Sequence, residues 1–252
     1  MSRSRIAVLA TGGGSNLQAL LDHLRTLGSH RTADVVLVAS NRADAGALAR
    51  AHAANCATAT IAGPRAPDGA QLSGLLDAHE IDLVVLAGYL QLIAPEITRR
   101  FAGRMLNVHP APLPAFGGAG MYGGRVHRAV LASGVQMSGP TVHFVDDVYD
   151  HGAMIAHWPV PVMPGDDEHA LAARVLHAEH LLFPRVVQAV AAGSITATGA
   201  PIGVLPPFEP SLDDVSLAER LDAHIADRLR AARLTHSSES LPANAAAPVF
   251  PS

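Results

Sequence analysis

Three short segments, RIAVLA (5–10), DVVLVAS (34–40) and DLVVLAG (82–88), are apolar on consecutive positions. A strand with one wet face alternates apolar with polar residues. Unbroken apolarity therefore predicts strands covered on both faces, as in a parallel sheet. The stretches between them carry a helical period: Ser15 to Leu27, Ala43 to Ala54 and Asp68 to His79, the first with Leu17, Leu20, Leu21 and Leu24 on one stripe. Strand alternating with helix requires right-handed βαβ crossovers. The expected fold class is α/β, an open, mostly parallel twisted sheet with helices on both faces, and RMLNVH (104–109) reads as its next strand.

Beyond residue 137 the pattern changes. SGPTVHFVDD (138–147) and GAMIAHWPVPV (152–162) read as two extended segments joined by a short turn, an antiparallel addition to the sheet. A long helical stretch fills 166–193, where Pro184 is expected to kink or divide it. A further amphipathic helix over about 213–232 carries Leu217, Leu221, Ile225 and Leu229 on one stripe. The tail from Thr235 is small, polar and proline-containing, the composition of a disordered segment. This divides the chain into a main domain (1–207), a helical extension (208–234) and a tail (235–252).

Composition narrows the function. With 49% hydrophobic and 16% charged residues, the chain can bury a sizeable core. A net charge of −4 without like-charge runs argues against nucleic-acid or membrane-surface partners. All 18 basic residues are arginine, which excludes a P-loop lysine, a Schiff-base lysine and a Ser–Lys pair. The single Cys56 supports neither an intrachain disulfide nor a thiolate metal site, and reads as a shielded structural thiol. The N-terminal apolar stretch is too short for a signal peptide and no run is long enough to span a bilayer, so a cytoplasmic protein is expected.

Two segments carry chemistry. In LATGGGSNLQAL (9–20), three glycines join the first strand to the first helix, where bare backbone amides suit an anion. The dinucleotide fingerprint fails: Leu17 stands where its third glycine belongs, and the second strand ends in Ser40–Asn41 without an acidic residue. A phosphate cradle and a tight turn that binds nothing are both open on these residues alone. In MLNVHPAPLPAF (105–116), Asn107 and His109 stand two apart, on one side of a strand at its carboxyl end, where parallel sheets bind ligands. Pro110, Pro112 and Pro114 stiffen the exit, the glycine-rich GGAGMYGG (117–124) follows, and Asp150 closes a carboxylate-rich turn. An amide donor, an imidazole and a carboxylate suit direct acyl transfer, in which an amine attacks a carbonyl without a protein nucleophile. The carboxylate is expected to favour the protonated imidazole.

The segments GGGSNLQALL, VLAGYLQLIAP, LNVHPAPLPAF, TVHFVDDVYDHGAMI and LAARVLHAEHLLFP resemble the phosphoribosylglycinamide formyltransferases, in order, from about residue 5 to about 205. N-x-H-P with a downstream H-F-V-x-x-x-x-D-x-G marks the folate-dependent formyltransferases as a superfamily, and G-S-N-L-Q singles out this member. The resemblance implies transfer of a formyl group from 10-formyltetrahydrofolate to glycinamide ribonucleotide, without a metal, by a monomer or homodimer. It also implies a catalytic trio of Asn107, His109 and Asp150, and a substrate-phosphate loop of Gly14, Ser15 and Asn16. Glu179 is implied as a glycinamide-substrate contact, and the folate-pocket walls as Leu90, Gln91, Leu92 and Ile93 together with Asn107, Val145, Asp146 and Asp147.

There are departures. Loop 117–124 is longer than the shortest family version, Arg65 is the sole candidate for a basic folate contact, and Leu176 replaces a polar contact of some members. Other readings are a formyltetrahydrofolate deformylase, a sugar-nucleotide formyltransferase and a non-catalytic phosphate sensor. A methionyl-tRNA formyltransferase would need an RNA-binding domain, and a metal-dependent hydrolase would rest on His177 and His180 at helical spacing.

Overall fold

The computed structural model describes residues 2–61, 69–197, 203–204 and 219–230. Arg65 and the tail from Thr235 lie outside the described residues, as do 208–218 of the helical extension.

Five parallel strands form the first half: β1 (Ser4–Leu9), β2 (Ala33–Ser40), β3 (Ala57–Thr60), β4 (Leu83–Leu86) and β5 (Met105–His109). Helices α1 (Ser15–Leu27), α2 (Gly46–Ala53), α3 (Ala70–Ala78) and α4 (Pro95–Arg100) connect them. α5 (Gly124–Ser133) then leads to β6 (Met137–Ser138), β7 (Thr141–Phe144), β8 (Met154–His157) and β9 (Val160–Pro161), followed by α6 (Glu168–Ala191) and β10 (Gly203–Val204). The main sheet runs β10-β8-β7-β5-β4-β1-β2-β3, with β5–β7 and β7–β8 antiparallel and the rest parallel. β6 and β9 form a separate two-stranded ribbon.

The unbroken apolarity of the strands has the expected cause. Ile6 and Val8 of β1, with Leu83 and Val85 of β4, face a core shared with α1, α2, α5 and α6. Ala7 and Leu9, with Val84 and Leu86, face a second core against α3 and α4. Each strand thus divides its residues between two apolar layers. α1 has the bounds that its leucine stripe predicts.

Two elements lack such a signal. β3 reads ATAT with alternate residues exposed, and α4 has six residues opened by Pro95. Pro184 does not divide α6, which runs unbroken over 24 residues with Pro184 buried in its interior. Packing of Val175, Leu182, Phe183 and Val186 into the core holds the helix through a position that can donate no backbone hydrogen bond.

The described part of the extension is a helix, α7 (219–230). Its Leu221 and Ile225 join the core beside α1 and α6, and Asp222 accepts from Arg185 Nε at 2.6 Å. No helix among the described residues is long and apolar enough to cross a membrane.

Candidate active site

The strand order reverses between β1 and β4, and the loops leaving those strands part there, as at the switch point of a doubly wound sheet. A cavity of about 330 Å³ opens over the carboxyl ends of β4 and β5. Asn16 and Glu179 form one wall, Gly88–Leu90 another, and residues 118–123 with Tyr149 the mouth; Asn107, His109 and Asp150 lie between them.

Asp150 is the hub of the polar contacts. It adopts φ of 52°, a left-handed conformation that aspartate tolerates better than most residues. Its Oδ2 accepts from the backbone N–H of Gly118 at 3.0 Å and stands 3.5 Å from His109 Nδ1. Oδ1 lies 3.4 Å from Asn107 Nδ2 and 3.7 Å from His143 Nε2. The close approach of the glycine-rich loop requires Gly117, where a Cβ would fall 2.4 Å from Leu113 and 2.9 Å from the Asp150 Cβ.

His109 is almost fully buried, and its Nε2 donates to the Phe116 carbonyl at 2.8 Å. A carbonyl can only accept, so Nε2 carries the hydrogen and Nδ1, facing Asp150, is the nitrogen free to gain or lose a proton. Burial pushes the His109 pKa below its ordinary value, against the opposing pull of Asp150 and the Phe116 carbonyl. The expectation of a protonated imidazole is corrected accordingly: desolvation outweighs the carboxylate and shifts the ring toward its neutral form.

His143 is absent from the sequence-derived site. Antiparallel pairing of β5 with β7 sets it directly opposite Asn107. Its Nδ1–H donates to the Phe144 carbonyl at 2.8 Å, leaving Nε2 to accept from Asn107 Nδ2 at 3.1 Å. That contact fixes which end of the amide faces inward. The second Asn107 N–H is held by the 3.4 Å contact to Asp150, at the weak limit of a hydrogen bond, and can turn to a ligand. His143 opens the H-F-V-x-x-x-x-D-x-G motif, and the β5–β7 register shows what it touches.

At the opposite wall, Asn16 Nδ2 donates to Glu179 Oε2 at 2.7 Å. Burial pushes the Glu179 carboxyl up to about 7, partly offset by this hydrogen bond. Asn16 Oδ1 is buried without a hydrogen-bond partner and is available to a donor on a ligand. Gly14 is buried at φ of 74° beside Ala47, where a Cβ would fall 2.7 Å from the Ala47 Cα. Gly14 and Ser15 cap and open α1 without lining the cavity.

The remaining expected residues divide. Leu90 lines the cavity, as do Tyr89 and Tyr149 of the segments 89–93 and 145–150 that the resemblance implies as pocket walls. Gln91 and Leu92 follow outside the lining, and Ile93 is buried in the second core with Val145 packed against that layer. Asp146 accepts from the exposed His151 ring at 2.7 Å and from the Val148 N–H at 2.9 Å, and Asp147 is exposed. Leu176 is exposed on α6. Among the described residues, no group of three His, Cys, Asp or Glu is arranged to hold a metal ion, and His177 with His180 gains no third ligand.

The formyl transferase family model matches residues 4–187. The chain is 38% identical over 194 residues to the phosphoribosylglycinamide formyltransferase of Escherichia coli (strain K12), covering 75% of this chain and 88% of that protein. It is 42% identical over 194 residues to the chloroplastic phosphoribosylglycinamide formyltransferase of Vigna unguiculata, covering 75% of this chain but 61% of that longer relative. The crystal structure of glycinamide ribonucleotide transformylase 1 from Symbiobacterium toebii superposes with a TM-score of 0.70 at 38% identity, over 76% of this chain and 89% of that one. The chain belongs to the formyl transferase family, and its relatives there are phosphoribosylglycinamide formyltransferases.

Proposed function

We propose that this chain transfers the formyl group of 10-formyltetrahydrofolate to the amino group of glycinamide ribonucleotide, giving formylglycinamide ribonucleotide in purine biosynthesis. The observation that carries the reading is the convergence of Asn107, His109 and Asp150 in a cavity whose described lining contains no Ser, Thr or Cys. Such a site favours attack by one substrate on the other over attack by the protein.

The amine attacks the formyl carbon, and negative charge develops on the formyl oxygen. Asn107 meets that oxygen with the N–H that Asp150 holds weakly. His109 enters neutral, with Nε2–H retained by Phe116, and takes the proton of the attacking amine at Nδ1. Asp150 stabilises the imidazolium as it forms, and His109 then returns the proton to the departing folate nitrogen. The amides of Gly14, Ser15 and Asn16 receive the ribonucleotide phosphate, and Glu179 contacts the remainder of that substrate. The aromatic and apolar wall of Tyr89, Leu90, Met121 and Tyr149 suits a flat, conjugated donor.

The reading assigns the reaction to residues 1–207 and leaves α7 a packing role, and it is proposed for a cytoplasmic monomer or homodimer. The test incubates the purified protein with 10-formyltetrahydrofolate, with and without glycinamide ribonucleotide, and follows folate absorbance. Deformylation that requires the ribonucleotide is the expected outcome. Equal loss of formyl without it would replace the transferase by a hydrolytic deformylase, and no reaction in either case would overturn the proposal.

A further inference from the structure

Of the three glycines after β1, the first two are held by α2 and the third by α1. Gly12 O accepts from the Ala47 N–H at 3.1 Å, Gly13 O accepts from Arg50 Nε at 2.8 Å, and Gly14 O accepts from the Gln18 N–H at 2.9 Å. Three successive carbonyls are thus occupied, while the first N–H groups of the 13-residue α1 have no intrahelical acceptor. Arg50 is the one side chain in this arrangement of carbonyls, and its Nη1 also donates to Gln18 Oε1 at 3.2 Å. Both acceptors are neutral, so neither cancels the guanidinium charge. A phosphate dianion on amide dipoles is held more strongly beside a full positive charge, and this chain has no lysine with which to supply one. Arg50 sits one hydrogen bond behind the loop.

We infer that Arg50 is a positioning residue for the phosphate group of the substrate, holding the Gly13 carbonyl back so that the loop amides face the anion while contributing the positive charge that the loop lacks. The inference rests on the proposed ribonucleotide reading and adds the residue that selects a phosphorylated substrate over its unphosphorylated riboside.

The experiment compares wild type, Arg50→Gln and Arg50→Lys with glycinamide ribonucleotide and with glycinamide riboside, both with 10-formyltetrahydrofolate. Arg50→Gln is expected to raise KM for the ribonucleotide about tenfold, as loss of a charge-assisted contact does. In that variant kcat should stay within about threefold and KM for the folate should be unchanged. The preference for ribonucleotide over riboside falls by the same factor, and Arg50→Lys recovers most of it. If Arg50→Gln keeps the full preference, or loses rate equally on both substrates, Arg50 braces the fold without reading the phosphate and the inference fails. If wild type itself does not prefer the ribonucleotide, the substrate reading fails and takes this inference with it.

Discussion

Glu179→Gln isolates the energetic consequence of the buried carboxyl on the cavity wall. Glutamine keeps an oxygen that can accept from Asn16 Nδ2, so the hydrogen bond survives while the ionisable proton is removed. In the native protein burial lifts the carboxyl from its ordinary 4.5 to about 7. The folded chain therefore holds this proton over a range in which the unfolded chain has released it. The extra stability is fully present below about pH 4.5, declines as pH rises, and is gone above about pH 7. At about 1.4 kcal/mol per pH unit the wild type loses on the order of 3 kcal/mol across this window through Glu179 alone.

The glutamine variant has no such loss, and every other titrating group cancels in the comparison. Its stability relative to wild type should rise by about 3 kcal/mol between pH 4.5 and pH 7.5, equivalent to roughly 6–12 °C in melting temperature for a domain of this size. Thermal and urea melts of the two proteins at both pH values measure the quantity directly. A relative stability that is the same at both would show that Glu179 titrates as an ordinary exposed carboxyl, and the argument from burial would be refuted. The same substitution is expected to raise KM for the ribonucleotide. A residue that costs stability at working pH while supporting binding belongs to a site, not to a core.

Four further outcomes follow from named contacts. Asp150→Asn keeps a side chain at home at φ of 52° but removes the charge beside His109, so kcat should fall about 10²- to 10⁴-fold with KM and melting temperature little changed; near-wild-type turnover would remove Asp150 from the mechanism. His143→Phe deletes the acceptor that orients Asn107, and kcat should drop about tenfold, with partial rescue in His143→Gln, whose amide oxygen can accept again. Gly14→Ala drives a Cβ to 2.7 Å from the Ala47 Cα at φ of 74°. It should cost at least about 1–2 kcal/mol in urea unfolding and raise KM for the ribonucleotide more than for the folate. Leu221→Ala empties a fully buried position under α7, lowering stability by about 2–3 kcal/mol while steady-state kinetics stay unchanged.

How much of this was legible in the sequence depends on how far the signal travels along the chain. The buried strands and α1 are written in local periodicity, and the structure returns them within a residue or two. β3 and α4 are short, four and six residues, too few for β3's two branched threonines or α4's single turn and a half to establish a period. In the site, Asn107 and His109 are legible because a covalent spacing of two on a strand fixes their common side. His143 becomes part of the same cluster only when β7 pairs antiparallel with β5, and Tyr149 reaches the mouth only through the turn that carries Asp150.

Protonation follows the same rule. Pairing with a carboxylate is readable from residue types and predicts a charged His109, whereas desolvation is a property of everything that surrounds the ring. Here the surroundings prevail, because burial of the ring outweighs the pull of Asp150 at 3.5 Å and of the Phe116 carbonyl together. The consequence is chemical. A ring that begins neutral, with one nitrogen committed to a carbonyl, has a single place to put a proton, and that place faces the carboxylate that can stabilise it. The contact that a charged ring would close in the free protein is left to be closed as the proton arrives. In the proposed mechanism Asp150 therefore strengthens its hold on His109 during the reaction, which is the condition for lowering a barrier instead of merely binding a substrate.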